Sequence, residues 1–178
     1  MKFTENRPLA SCILALVIVG TLLIGGGNAL KSQSQAVETT FSASSESISA
    51  ELKELADNAV VMNSIAANAA GVNEDYVAAV TDGVDALRAA ESVSEKSTAS
   101  AALTTAVENL YSNASNLSLS DKDADDFKYR YRNYESALTR ISHDPYNDEA
   151  AAFNREKSGF PAGLICALRG IRDAELFG

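Results

Sequence analysis

His143, Asp144 and Tyr146 form the one cluster in this 178-residue chain whose side chains could move protons. General acid–base work needs an imidazole, a partner that orients it and a pocket around both. Pro145 splits the cluster, and no serine or cysteine nucleophile motif accompanies it. A proline kink in a helix, with exposed polar neighbours, accounts for the three residues better. Asp121, Asp123, Asp125 and Asp126 alternate like the oxygens of a calcium loop, but the glycine at position six and the glutamate at twelve are missing. Carboxylates gathered at a helix N-terminus, where the backbone dipole favours them, explain that run. One histidine and two isolated cysteines, Cys12 and Cys166, make neither a zinc set nor a CxxC pair. No catalytic residue, cofactor or metal ligand is assigned, and the chain is not read as an enzyme.

Phe127, Tyr129, Tyr131 and Tyr134 alternate with Lys128, Arg130 and Arg132, a pattern that could stack nucleobases. On a helix, however, positions 127, 131 and 134 share a core-facing side while the cations lie outside. With Lys2, Arg7 and Glu5 set aside, 13 Lys and Arg face 23 Asp and Glu after Leu30. Nucleic acid is repelled by such a body.

The elements that must carry these residues begin with an apolar run. Leu9 to Ile24 holds no charge, and with Gly25 to Leu30 the stretch reaches 22 residues, against about 20 needed to cross the hydrocarbon core. Leu9, Ile13, Leu16, Val19, Leu22, Leu23 and Ile24 are assigned to the membrane-spanning face of an uncleaved anchor. Gly27-Asn28-Ala29 offers small residues to a signal peptidase, so cleavage is the alternative. Leu9-Ala10-Ser11-Cys12 resembles a lipoprotein box, but it precedes the apolar core that such a box should follow. Lys2 and Arg7 on the near side against Lys31 on the far side place residues 1–30 as a cytoplasmic head and anchor, with the body extracytoplasmic.

Residues 31–47 suit a polar linker or a solvated extension of the helix. From Ile48 the spacing is helical. Ile48, Leu52, Leu55, Ala59, Met62, Ala66 and Ala69 step by threes and fours, with Gly71 as a left-handed stop and Asn73 as the next cap. Val77, Val80, Val84 and Leu87 mark a second helix, in which Gly83 permits close approach. A turn is expected around Ser92 to Ser100. Leu103, Val107, Leu110, Ala114 and Leu117 mark a third helix. Asp121 caps a fourth, whose seam is Phe127, Tyr131, Tyr134, Leu138 and Ile141. Alternating strand patterns are absent. The reading is all-α: a single transmembrane helix, then an elongated antiparallel bundle of about four helices over residues 48–158. Small residues on the first bundle helix would interdigitate with aromatics on the fourth.

Two aromatic–asparagine pairs, Tyr146-Asn147 and Phe153-Asn154, stand seven residues apart and so share a helix face, where each asparagine could hydrogen-bond a neighbouring helix and fix the register of the bundle. After them, residues 159–178 carry too many apolar groups for a free terminus. Phe160, Leu164, Ile165, Leu168, Ile171 and Phe177 are the candidate interaction surface, either folded back on the bundle or facing a membrane or partner. Arg169 and Arg172 beside them suit an anionic surface.

Arg132-Asn133-Tyr134, Pro145-Tyr146-Asn147, Phe153-Asn154 and Phe160-Pro161-Ala162-Gly163-Leu164-Ile165 together resemble the end of the LemA family. Asp57, Met62 and Val77 to Thr81 are similar to its first two helices. The chain departs at Val60-Val61, where the family usually has Pro-Asn, and at Pro145, where its last helix is normally smooth. The resemblance implies a membrane-anchored antiparallel helical bundle without an established molecular role. Family members are often described with the body in the cytoplasm, opposite to the charge reading. The chain is therefore read as a membrane-anchored scaffold or protein-interaction module, its partner an unidentified protein or a second copy. An extracytoplasmic ligand-sensing bundle working through a partner is the alternative.

Overall fold

The computed structural model describes residues 7–45, 47–114 and 117–178, with side chains from residue 11 onward. Among them run seven helices: α1 Arg7–Ser42, α2 Ile48–Ala67, α3 Glu74–Ala89, α4 Val93–Asn113, α5 Asp121–Ser142, α6 Tyr146–Ser158 and α7 Ala162–Arg169. Two compact units are distinguished. One holds the chain up to Thr39 with Asp148–Ala174, the other Thr40–Asn147 with Glu175–Gly178.

In the first unit, α1 is long and apolar enough to cross a membrane. Residues 11–19 are all exposed, Ile13, Leu14, Leu16, Val17, Ile18 and Val19 among them. A soluble helix hides one apolar stripe, whereas this one is bare on every side, as a lipid-facing segment is. Leu22 and Ile24 are exposed too, while Leu23 packs against α7. The side chain of Leu9, and Lys2 of the basic head, lie outside the described residues. Beyond Leu30 the helix does not fray into a linker but continues to Ser42, burying Leu30, Val37 and Phe41 at intervals of seven and four.

The second unit contains a bundle of α2 to α5, in which α2 packs on α3, α4 and α5, and α3 on α4. The α2 seam is real: Ile48, Leu52, Leu55, Ala59, Met62 and Ala66 are buried. Ala69 falls past the helix end. Asn63 on α2 donates to the Val77 carbonyl (3.0 Å) and to Thr81 Oγ1 (2.9 Å) across the first hairpin. Along α4 and α5 the numbering runs in opposite senses, Tyr111 stacking on Phe127 while Thr104 meets Tyr134. Arg140 on α5 reaches back to α2, where Nε donates to buried Glu51 (2.8 Å) and Nη2 to Glu54 (2.8 Å). The hydrogen bond to Glu51 raises the guanidinium pKa further, keeping it charged against its partial burial.

Helix ends follow local chemistry and correct several expectations. Ser47, Asn73, Ser92 and Ser120 are the N-caps of α2 to α5. Asp121 is therefore the first helical residue rather than the cap. Gly71 does take a left-handed conformation (φ 88°), but α2 has already ended at Ala67, capped by Asn68. The turn expected across Ser92 to Ser100 occupies only Ala90 to Ser92. A capping box, with Ser92 and Glu95 bonding each other's backbone, starts α4 ten residues before Leu103. Glu95 has its carboxyl pKa lowered by the N–H groups it accepts from Ser92 and Glu91. Pro145 does not kink a helix: α5 stops at Ser142 and α6 starts at Tyr146, because proline lacks the donor and disfavours helical geometry just before it.

Two predictions follow from this packing. A Cβ on Gly83 would lie 3.1 Å from Leu103 Cα, so Gly83→Val should cost about 1–3 kcal/mol in urea denaturation by prising α3 from α4. Burial pushes the Tyr134 phenol up to about 12, helped by Glu108 and opposed by its hydrogen bond to Thr104. Thr104 Oγ1 lies 2.8 Å from the Ser100 carbonyl and 3.1 Å from the Tyr134 hydroxyl. A folded pKa above the ordinary 10 means the stability is full below that pH and is lost as pH rises to about 12. Tyr134→Phe should flatten that alkaline loss in denaturation curves recorded against pH.

Candidate interaction surface

The stretch after Pro145 is built around α6, whose sequence puts an aromatic and then an asparagine at successive positions, repeated seven residues on. A helix turns 100° per residue, so when Tyr146 and Phe153 point inward the asparagines are rotated to the flank. Both aromatics are buried. Both asparagines grip the backbone of the chain's last residues instead of a neighbouring helix.

In the first unit, Asn154 Nδ2 donates to the Ala174 carbonyl (2.9 Å) and Oδ1 accepts from the Ala174 N–H (2.8 Å). Lys157 holds Asp173 at 2.7 Å. In the second unit, Asn147 repeats the motif on Phe177, at 2.6 Å from Nδ2 to the carbonyl and 2.8 Å from the N–H to Oδ1. A side-chain amide that uses its donor and its acceptor on one residue behaves like a neighbouring β-strand.

The second unit ties down its share of the tail further. Tyr146 donates to the Glu175 carbonyl (2.7 Å), and Glu175 Oε2 accepts from Ser94 N–H (3.0 Å) in the first turn of α4. Phe41 lies edge-on to Tyr146 (5.2 Å) and 6.1 Å from Phe177, with the Lys96 ammonium 5.5 Å from its ring centroid. Phe177 is half-buried.

The first unit holds the rest of the candidate surface. Ile165 and Cys166 are buried with Leu30 of α1, and Leu23, Ala162 and Ile171 pack around them. Gly170 closes α7 in the left-handed region at φ 66°, where a side chain would be strained. Arg169 turns back on α1: Nη2 reaches the carbonyls of Leu23 (3.1 Å) and Ile24 (3.3 Å) and Oδ1 of Asn28 (3.3 Å). Gly27 makes this approach feasible, since a Cβ there would stand 2.6 Å from Arg169 Nε. Lys31, Arg169 and Arg172, with Glu38 and Asp173, line a groove of about 460 Å³. Phe160, Leu164 and Leu168 remain 91%, 56% and 65% exposed. The six predicted residues therefore divide: Ile165 and Ile171 fold against α1, these three face out, and Phe177 is half-buried beside Phe41 in the second unit.

The other sequence candidates do not converge. His143 Nδ1 sits 2.8 Å from the Thr139 carbonyl, and Asp144 Oδ1 accepts the Tyr146 N–H at 2.8 Å. His143 and Asp144 each serve a local backbone contact around the break at Pro145, while the Tyr146 hydroxyl goes to the Glu175 carbonyl. Asp123 bonds Ser120 and Asp126 pairs with Arg130 (3.3 Å). Among the described residues no three His, Cys, Asp or Glu side chains are grouped to hold a metal. Tyr131 stacks on Tyr111 at 3.6 Å, while Tyr129, Lys128 and Arg132 are exposed. The sequence reading missed Phe41, Glu51 with Arg140, and the role of Arg169. Only Phe41 carried a signal, as a lone aromatic in an otherwise polar stretch. Comparison with protein-family models, curated proteins and solved structures found no match.

Replacing either asparagine should free its stretch of tail while leaving the bundle folded. Each clamp is two hydrogen bonds, worth about 1–3 kcal/mol together. Asn154→Ala should accelerate amide hydrogen exchange at Ala174, and Asn147→Ala at Phe177, with the α2–α5 amides unchanged. Asn154→Asp should be no better, because a carboxylate keeps the acceptor but faces the Ala174 carbonyl.

Proposed function

We propose that the chain is a membrane-anchored helical-bundle scaffold, a protein-interaction module of the LemA-like type, held by α1 in a single pass with the body outside the cytoplasm. The observation that carries this reading is the use of α6. In each unit one asparagine of α6 holds main-chain groups of the chain's last residues, a mode by which folded domains take up peptides with little demand on side-chain identity. The bare apolar surface of residues 11–19 supports the anchor. The tail string Phe160 to Ile165 and the paired aromatic–asparagine motif support the LemA-like assignment, and the charge difference across the apolar run supports the orientation.

An extracytoplasmic ligand-sensing bundle is a second reading, favoured by one feature. A half-open cleft of about 530 Å³ in the second unit is lined by Tyr111, Ala114, Leu117, Leu119, Ala124 and Phe127, with Ser112 and Lys128 as its polar members. Saturable uptake of a small apolar dye, abolished by Ala124→Phe, would favour sensing over scaffolding.

Topology is tested through a new thiol, since Cys166 is buried and silent in the folded protein. Lys122 is exposed at the start of α5. Lys122→Cys should resist alkaline extraction with the membrane fraction and react with an impermeant maleimide in intact cells. Protection until lysis would put the body in the cytoplasm, and recovery in the medium would make the N-terminal segment a cleaved signal. A turnover abolished by His143→Ala would replace the scaffold reading with an enzyme.

A further inference from the structure

We propose that α7 is an interfacial helix that rests on the membrane leaflet where α1 emerges, and that the groove beside it holds the headgroup of an anionic phospholipid. The proposal rests on the membrane-anchor reading and extends it to a lipid site. Three observations within the first unit carry it.

The first is place. α7 packs on α1 through Ile165 and Cys166 against Leu23 and Leu30, the stretch where the 22-residue apolar run ends. Arg169 is pinned to the carbonyls of Leu23 and Ile24 and to Oδ1 of Asn28, so its charge stands beside the end of the strongly apolar Leu9–Ile24 run, from which a long cationic side chain can reach a lipid phosphate. The second is apolar exposure. Leu164 and Leu168 are one turn apart on the uncovered side of α7, and Phe160 precedes them by four residues; the face opposite Ile165 and Cys166 is bare. An amphipathic helix of this kind buries such a face in the headgroup and acyl boundary. The third is charge. Lys31, Arg169 and Arg172 meet in one groove, in a chain of formal net charge −9. Of the two acids lining it, Asp173 is taken by Lys157 at 2.7 Å, which leaves Glu38 against three cations. Basic clusters beside a membrane span attract anionic lipids.

The chain has no tryptophan, so Phe160→Trp supplies a reporter in the full-length protein reconstituted into nanodiscs. Brominated acyl chains should quench its emission. Brominated phosphatidylglycerol should quench it more strongly than the same fraction of brominated phosphatidylcholine. Lys31→Glu with Arg172→Glu, which spare the Arg169 contacts to α1, should abolish that excess with the helical circular dichroism unchanged. An unquenched, water-like emission from a chain that still co-purifies with the nanodisc would overturn the proposal and leave the anchor standing. Equal quenching by the two lipids, unaffected by charge reversal, would overturn the headgroup site. A chain that fails to enter nanodiscs would overturn the anchor and the lipid site together.

Discussion

The bundle depends on one seam. Ile48, Leu52, Leu55, Ala59, Met62 and Ala66 line a single side of α2, and that helix touches each of the other three. Alanines at 59 and 66 are the small members of that seam, and Phe127 and Tyr134 of α5 are among the largest buried side chains of the same unit. Close packing of this kind is what turns a set of amphipathic helices into one arrangement, because a gap of even one methylene is felt. The Glu51–Arg140 pair is a consequence of the same fit. Glu51 is buried beside the seam, and α5 brings the Arg140 guanidinium to it as a compensating charge.

A different constraint governs the residues after Pro145. Extended chain next to a helix has backbone donors and acceptors that no helix can match, since a helix satisfies its own. Side-chain amides solve the mismatch. Asn147 and Asn154 each complete one residue of the tail, and the aromatic preceding each asparagine fixes which flank it occupies. The repeated pair is therefore a single device used twice, in which the buried ring sets the rotation and the amide does the binding. That division explains why aromatic and asparagine occur side by side.

Much of the bundle was legible because its signals are local. Threefold and fourfold spacing, cap residues and a proline break are read within a few residues, so the helices of the bundle and most of their buried faces could be placed. Errors gathered at the boundaries. Ser94 to Ser100 looked like a turn because small polar residues dilute the apolar pattern, yet the Ser92–Glu95 capping box overrides them. For the polar stretch after Leu30 the sequence left a linker and a helix extension open, and α1 runs through it to Ser42, burying Leu30, Val37 and Phe41.

The sequence by itself determined the all-helical class, the apolar segment able to cross a membrane, the apolar excess of the last twenty residues and the existence of two aromatic–asparagine pairs. These rest on composition and on periods of three to seven residues. Only the tertiary structure decided what the asparagines bind, which half of the apolar surface is hidden, and that Arg169 turns back on Leu23 and Ile24 more than 140 residues earlier. Those outcomes depend on contacts between segments far apart in the chain. Periodicity says which side of a helix is buried, but not what lies against it.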